Sequence, residues 1–243
     1  ITLTPSVIGG DNVTAGGSGA FATANAGSNI SYNVTGLALT GGDASNYVLS
    51  GGTSFSGSNG VISKAALGIS ANATYNAGTS FTNLAAGSNY SLTGLVNGET
   101  IDNATLAVNN ANVVGGNNYV TGLTVVNGTA SMSNYQLNAS YNGTVASNVT
   151  NIFQVNAAQL GISANGTYSG SATFANQANG TNYSLTGLVN GETINTATLT
   201  INNANVTPSN YVTGLSVLTG NATISNYVLN STYNGVSGVT TTN

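Results

Sequence analysis

The chain has 243 residues and a formal net charge of −4, with one Lys or Arg, five Asp or Glu and no His, so that 2% of the residues are charged. A soluble domain is ordinarily about a quarter charged, so this composition removes whole classes of function. Without His or Cys there is no imidazole base, no thiolate and no ordinary zinc site, and Lys64 alone cannot build a phosphate-binding groove, so no nucleic acid is expected as a partner.

From the N-terminus, residues 1–65 form a first segment that ends its pattern with NVTGLAL (33–39) and SNYVL (45–49). Strand-like alternation follows at Tyr90/Leu92, Leu106/Val108 and Tyr135/Leu137, then again at Leu199/Ile201 and Tyr227/Leu229. Asn-Gly at 97–98, 127–128, 142–143, 190–191 and 234–235 predicts short hairpin turns. No sustained helical spacing appears. No apolar run approaches the ~18 residues of a membrane helix, and membrane insertion is not expected.

Self-comparison organises these pieces. NYSLTGLVNGET at 89–100 recurs letter for letter at 182–193, LGISAN at 67–72 recurs at 160–165, and NYVTGL at 118–123 recurs at 210–215. SNYQLNASYNG (133–143) pairs with SNYVLNSTYNG (225–235). Residues 66–157 and 158–243 are therefore two copies of one module, and 1–65 is a cousin of their later half. The expected fold is all-β: tandem small β-sandwich modules, Ig-like or β-grasp-related, in a linear array. A β-solenoid is the alternative, although its coils usually repeat every ~20–30 residues. Tyr90, Tyr135, Tyr183 and Tyr227 stand in alternating strands, which places their rings in the module cores and their hydroxyls at the edge.

Little chemistry is visible. Asp11, Asp43, Glu99, Asp102 and Glu192 are the only carboxylate side chains, and their spacing builds neither a glycosidase pair nor a calcium loop. Gly9-Gly10-Asp11 and Gly41-Gly42-Asp43 read as turns, and Lys64 as a solvated charge at a module boundary. No nucleophile has a visible base, so no enzyme is expected, and no cofactor or metal is called for. Asn-x-Ser/Thr sequons are dense, with Asn127 and Asn142 the loop-like candidates for glycosylation.

The stretch GDNVTAGGSGAFATANAGSNISYNVTGLALTGGDASNYVLSG (10–51), followed by GVISKAALGISAN (60–72), resembles the YDG repeat of bacterial haemagglutinin-type surface adhesins. The later modules, with LGISAN, SLTGLVNGET and SNYxL, resemble the MBG repeats that alternate with YDG in such proteins. The resemblance implies a large, non-catalytic exoprotein displayed as a fibre on the bacterial cell surface. Here the naming Tyr-Asp-Gly has become Tyr141-Asn142-Gly143 and Tyr233-Asn234-Gly235; Asn keeps the turn-forming tendency without the charge.

A seam follows from this comparison. STYNGVSGVTTTN (231–243), placed ahead of ITLTPSVIGGDNV (1–13), restores a continuous YDG-like module, and at an internal junction VTNIF (149–153) resembles VTTTN followed by ITL. The expectation is that Ile1, Thr2, Leu3, Tyr233, Asn234, Gly235, Thr242 and Asn243 flank a junction between successive copies. Copies joined head-to-tail, covalently or by strand donation, generate an open filament. The expected partner is thus the chain itself, in an extracellular, structural and adhesive role, with host or matrix glycans, and after them ice, as the alternative ligand of a binding module.

Overall fold

The structure, a computed structural model, describes residues 7–142, 149–230 and 243. It is an all-β chain, and among the described residues helix is limited to single 3-10 turns. Two compact units are present: Ile1–Ala65 with Ser131–Gln136, and Ala66–Ala130 with Leu137–Asn243.

In the first unit, β1 (Thr14–Phe21), β2 (Gly27–Thr40) and β3 (Phe55–Ile62) form an antiparallel sheet in that order. Val13, Ile30 and Leu37 are its buried apolar residues. Phe21, Tyr32 and Phe55 meet edge to face, with centroids 6.2 and 6.3 Å apart. A 3-10 turn at Ala44–Asn46 follows β2.

The second unit contains the long repeats. Its chain runs through β4 (Ala65–Thr74), β5 (Ser80–Ala85), β6 (Tyr90–Thr93), β7 (Ile101–Val108) and β8 (Val120–Gly128). After β9 (Tyr135–Leu137) come β10 (Asn151–Asn156), β11 (Ala158–Ala164), β12 (Thr173–Ala178) and β13 (Tyr183–Thr186). β14 (Ile194–Ile201), β15 (Val212–Gly220) and β16 (Tyr227–Leu229) complete it. Each repeat builds two sheets. In the first, β4 lies between antiparallel β6 and parallel β10, and β7 lies between β5 and β8. In the second, β11 lies between antiparallel β13 and parallel β16, and β14 between β12 and β15.

Period-two alternation places one face of each sheet inward. Leu67, Ile69, Ala104, Leu106 and Val120 are buried in the first repeat, and Leu160, Ile162, Ile194, Ala197 and Leu199 in the second. Each large apolar side chain so buried stabilises the fold by about 1.5–3 kcal/mol. Tyr90 and Tyr183 fill the cores as their alternation predicts, and their hydroxyls donate to the carbonyls of Ile101 (2.8 Å) and Ile194 (3.2 Å). The parallel pairs were not legible in the alternation, which carries no information on strand direction.

The Asn-Gly expectation needs correction. Asn97-Gly98 and Asn190-Gly191 do take positive φ (52° and 70°, 49° and 72°), but they join no hairpin. Each turn carries the chain from the edge strand of one sheet, β6 or β13, into the central strand of the other, β7 or β14. The turn chemistry is local, while burial of both faces of the core decides where the next strand pairs. Asn127-Gly128 lies at the end of β8 rather than in a loop. Asn142 (φ 45°) is in a turn, and Asn234 lies outside the described residues.

Gly128 and Gly220 sit at a corner where the chain leaves its sheet, both with φ 140°. A Cβ on Gly220 would stand 2.2 Å from the Thr193 carbonyl oxygen, and one on Gly128 2.4 Å from that of Thr100. Gly220→Ala should therefore destabilise the second unit by about 2 kcal/mol or more, through backbone strain and a backbone clash together. Chemical denaturation compared with Gly191→Ala, where no atom lies within 4 Å, checks this; the clash should make the Gly220 variant the less stable of the two.

Candidate repeat junction

Where the two long repeats meet, the first supplies Tyr75, at the end of β4, and the loop Asn112-Val113 between β7 and β8. The second supplies Glu192, from the Asn190-Gly191 turn, and Asn226-Tyr227, from the 3-10 turn Ile224–Asn226 and the start of β16. The Tyr75 and Tyr227 rings meet edge to face at 5.6 Å. Tyr75 donates to Glu192 Oε1 at 2.8 Å, and Tyr227 donates to Glu192 Oε2. Tyr227 Oη also accepts the Val189 amide at 3.1 Å, which locks it to the turn carrying Glu192.

Beside this group Asn226, fully buried, uses both ends of its carboxamide. Oδ1 accepts the Val113 amide at 2.8 Å, and Nδ2 donates to Asn112 Oδ1 at 2.8 Å. Asn112 is itself set by its loop: its amide donates to Asn110 Oδ1 at 3.0 Å, and its carbonyl accepts from Asn118 Nδ2 at 3.1 Å. Every partner except Glu192 is neutral. Hydrogen bonds to a charged acceptor are about twice as strong as neutral ones, and with no cation nearby among the described residues the two hydroxyls solvate the carboxylate. Burial first, and then donation to Glu192, raise the Tyr227 phenol from 10.0 to about 12, and the same causes raise that of Tyr75.

The same arrangement recurs in the first unit. There the Ala26 amide donates to Asn134 Oδ1 at 2.9 Å, and Asn134 Nδ2 donates to Asn25 Oδ1 at 3.1 Å. Asn134 and Asn226 are equivalent positions of the SNY motifs at 133–135 and 225–227. The SNY at 45–47 builds a matching corner: the Ile8 amide donates to Tyr47 Oη (2.9 Å), which donates to Asp11 Oδ2 (2.7 Å). The hydrogen bond to Asp11 is the main cause that raises the Tyr47 phenol. Gly9-Gly10-Asp11 thus forms the turn expected of it, and Asp43 Oδ2 accepts the Asn12 amide at 2.9 Å.

Of the residues that the sequence places at the seam, Ile1, Thr2, Leu3, Tyr233, Asn234, Gly235 and Thr242 lie outside the described residues. Asn243 is described. Its Oδ1 accepts the Val212 amide (2.8 Å) and its Nδ2 donates to the Val212 carbonyl (2.7 Å). Asn151, the first residue of β10, holds Val120 in the same two-bond grip at 2.9 and 2.8 Å. Asn127 is exposed but belongs to β8, so the loop expected for it is replaced by a strand; Asn142 is exposed in its turn. Lys64 is exposed between β3 and β4.

Sequence reasoning missed Glu192, Tyr75, Asn112 and Asn226 as a group. The signal was present in the recurring SNY and in the recurrence of NGET, but neither shows which repeat each side chain faces.

Residues 1–54 match the YDG domain. No curated protein and no solved structure matches the chain.

Two outcomes are expected. Asn226→Ala should cost the second unit about 2–4 kcal/mol, because it strands the Val113 amide and the Asn112 side chain; denaturant unfolding measures it. Because the folded Tyr227 phenol titrates above its unfolded value, the folded state holds more protons between the two. The associated stability is complete below pH 10.0 and is lost as pH rises towards about 12. Phenolate absorbance during alkaline unfolding reports this, and Glu192→Gln should bring the late-titrating step part of the way back towards 10.0.

Proposed function

We propose that this chain is a non-catalytic structural and adhesive repeat region of a bacterial extracellular fibre or surface stalk, in which modules follow one another head-to-tail. The YDG match over 1–54 supports the assignment, and the later modules read as MBG-like repeats of the same type of exoprotein. The observation that carries the reading is the junction itself. A carboxamide of one SNY motif grips an Asn-Val or Asn-Ala loop of another module in two separate places, at Asn226 and at Asn134. A contact that recurs at successive modules serves to hold them in a fixed sequence, which is what a stalk requires and what a catalyst does not.

Such a stalk rests on backbone ladders, small apolar cores and amide hydrogen bonds. Long-range ion pairs contribute little, so salt has little to screen. Electron micrographs of the native material should show filaments with an axial repeat of three modules, unchanged between dilute buffer and about 0.5 M salt, where the Debye length falls well below 10 Å. Dispersed globular particles, or filaments that dissolve in salt, would count against the stalk.

A second reading has one observation of its own. Phe21 and Phe55 are half exposed on either side of Tyr32, and a shallow cavity beside them is lined by Phe21, Tyr32, Val34, Asn59 and Gly60. Aromatic faces next to amides suit a host or matrix glycan. Glycan-array binding by the full chain that disappears in Phe21→Ala and Phe55→Ala would support an adhesive face on the module; an array without signal leaves the stalk role alone.

A further inference from the structure

We propose that Asn190-Gly191 and Asn97-Gly98 are sites of spontaneous, backbone-assisted deamidation, and that the reaction at position 190 sets a second carboxylate beside Glu192 in the repeat junction. This is a covalent modification that the chain performs on itself, and it does not depend on the stalk reading.

The chemistry needs a carboxamide, a small following residue and freedom for the two to meet. At Asn190 the Gly191 amide nitrogen attacks the side-chain Cγ. The N–Cγ bond forms, the Cγ–Nδ2 bond breaks, and Nδ2 leaves as ammonia with the proton that the amide gives up. Water then opens the five-membered succinimide. Attack at Cγ leaves an aspartate at position 190, whereas attack at the main-chain carbonyl leaves isoaspartate, whose backbone runs through Cβ and Cγ. One water enters and one ammonia departs, so no oxidant, metal or second protein is consumed.

The dipeptide alone does not choose the site, because the fold holds its Asn-Gly pairs in different ways. Asn97, Gly98, Asn190 and Gly191 are all exposed. Among the described residues neither carboxamide has a hydrogen-bond partner, and neither glycine amide has a backbone acceptor. The space around both glycines is open, with no atom within 4 Å of where a Cβ would stand. Each turn is closed by one bond outside the reacting pair, from the Glu192 amide to the Val189 carbonyl at 2.9 Å and from the Glu99 amide to the Val96 carbonyl at 3.0 Å. Cγ can therefore swing towards the glycine nitrogen without breaking any hydrogen bond of the pair itself.

Asn179-Gly180 is the opposite case. Asn179 Nδ2 donates to the Ile194 carbonyl at 3.1 Å, and the Gly180 amide donates to the Tyr183 carbonyl at 2.7 Å. Leaving group and nucleophile are both engaged, and both bonds must open before attack, which slows the reaction at least about tenfold. Asn127-Gly128 is restrained in another way, held in β8 with Asn127 opposite Asn103 and Gly128 opposite Ile101.

At the junction the product changes what the turn carries. The Val189 amide, on one side of the pair, donates to Tyr227 Oη at 3.1 Å, and Glu192, on the other, accepts from Tyr75 at 2.8 Å. Isoaspartate lengthens by one carbon the backbone that spaces these two anchors. Either product adds a negative charge two residues from Glu192, whose hydroxyl donors are neutral. In a chain of net charge −4 each event is a large fractional change, and repulsion between the two carboxylates is felt in dilute buffer and screened by salt.

The full chain, kept folded in mildly alkaline buffer, is digested at intervals and mapped by mass spectrometry with fragmentation that separates aspartate from isoaspartate. Positions 97 and 190 should change at least about tenfold faster than 127 and 179. Unfolded in denaturant, the four positions should change at similar rates. In isoelectric focusing the parent should gain two acidic steps, which Asn97→Gln and Asn190→Gln each reduce to one. Positions 127 or 179 reacting as fast as 97 and 190 in the folded chain, or 97 and 190 staying intact while the unfolded chain reacts, would overturn the assignment. The consequence for the junction has its own test. Asn190→Asp, which makes the aspartate product directly, should unfold at a lower urea concentration than the parent in dilute buffer and approach it at about 0.5 M salt. Equal midpoints in dilute buffer would overturn the effect on the junction.

Discussion

A primary carboxamide offers a donor and an acceptor side by side, the same pair that a peptide group presents to a neighbouring strand, and this chain depends on that equivalence at its key joints. Asn151 and Asn243 each close both polar groups of a single Val residue, as an added strand would. Asn226 and Asn134 do the same for a loop amide and a second side chain. Buried backbone groups must find partners, and in a chain with 2% charged residues asparagine meets that demand at each of these joints. The amide is neutral, so it can be buried without the desolvation cost of an ion, and it is short, so little rotamer freedom is lost when it is fixed.

This constraint explains why composition was an effective guide to class but a poor guide to architecture. The scarcity of charged groups, with the alternation, predicted a β protein held by ladders and amides, and the alternation at Leu106/Val108 or Tyr90/Leu92 located strands that the structure contains. Which strands pair was hidden. β6 and β7 are adjacent in sequence, joined by an Asn-Gly turn of hairpin type, yet belong to different sheets. Local turn chemistry and long-range burial gave different instructions, and burial of Leu106 and Ile69 between two sheets outweighed the tendency of a tight turn to pair its flanks.

The junction was legible only as letters. SNY occurs five times and NGET twice, and repetition of that kind points to a shared structural task without saying what it is. Alternation assigned Tyr227 to a core, which its burial agrees with. It could not tell that the hydroxyl at the core edge meets a carboxylate shared with Tyr75 from another repeat. Nor does any pattern within one repeat mark Asn112, because its role appears only when Asn226, more than a hundred residues later, comes beside it. Period-two reasoning resolves the two faces of a strand, whereas joints are made by turns, where no period exists.

The placement of the remaining charge follows from the same economy. Asp11 and Glu192 occupy one equivalent turn position, and Glu99 occupies it in the intervening repeat, so most of the chain's carboxylates sit at corners. A carboxylate there needs no cation if neutral donors surround it: two tyrosine hydroxyls and a locked turn suffice at Glu192. The scarcity of Lys and Arg keeps this arrangement unambiguous, because a nearby ammonium would compete for the oxygens and bring a solvation shell with it. An anion bound by two phenols also fixes direction, since one phenol comes from each repeat and the repeats cannot exchange roles. Low charge and a polar sense along the chain are thus two consequences of one choice of side chains at the joint.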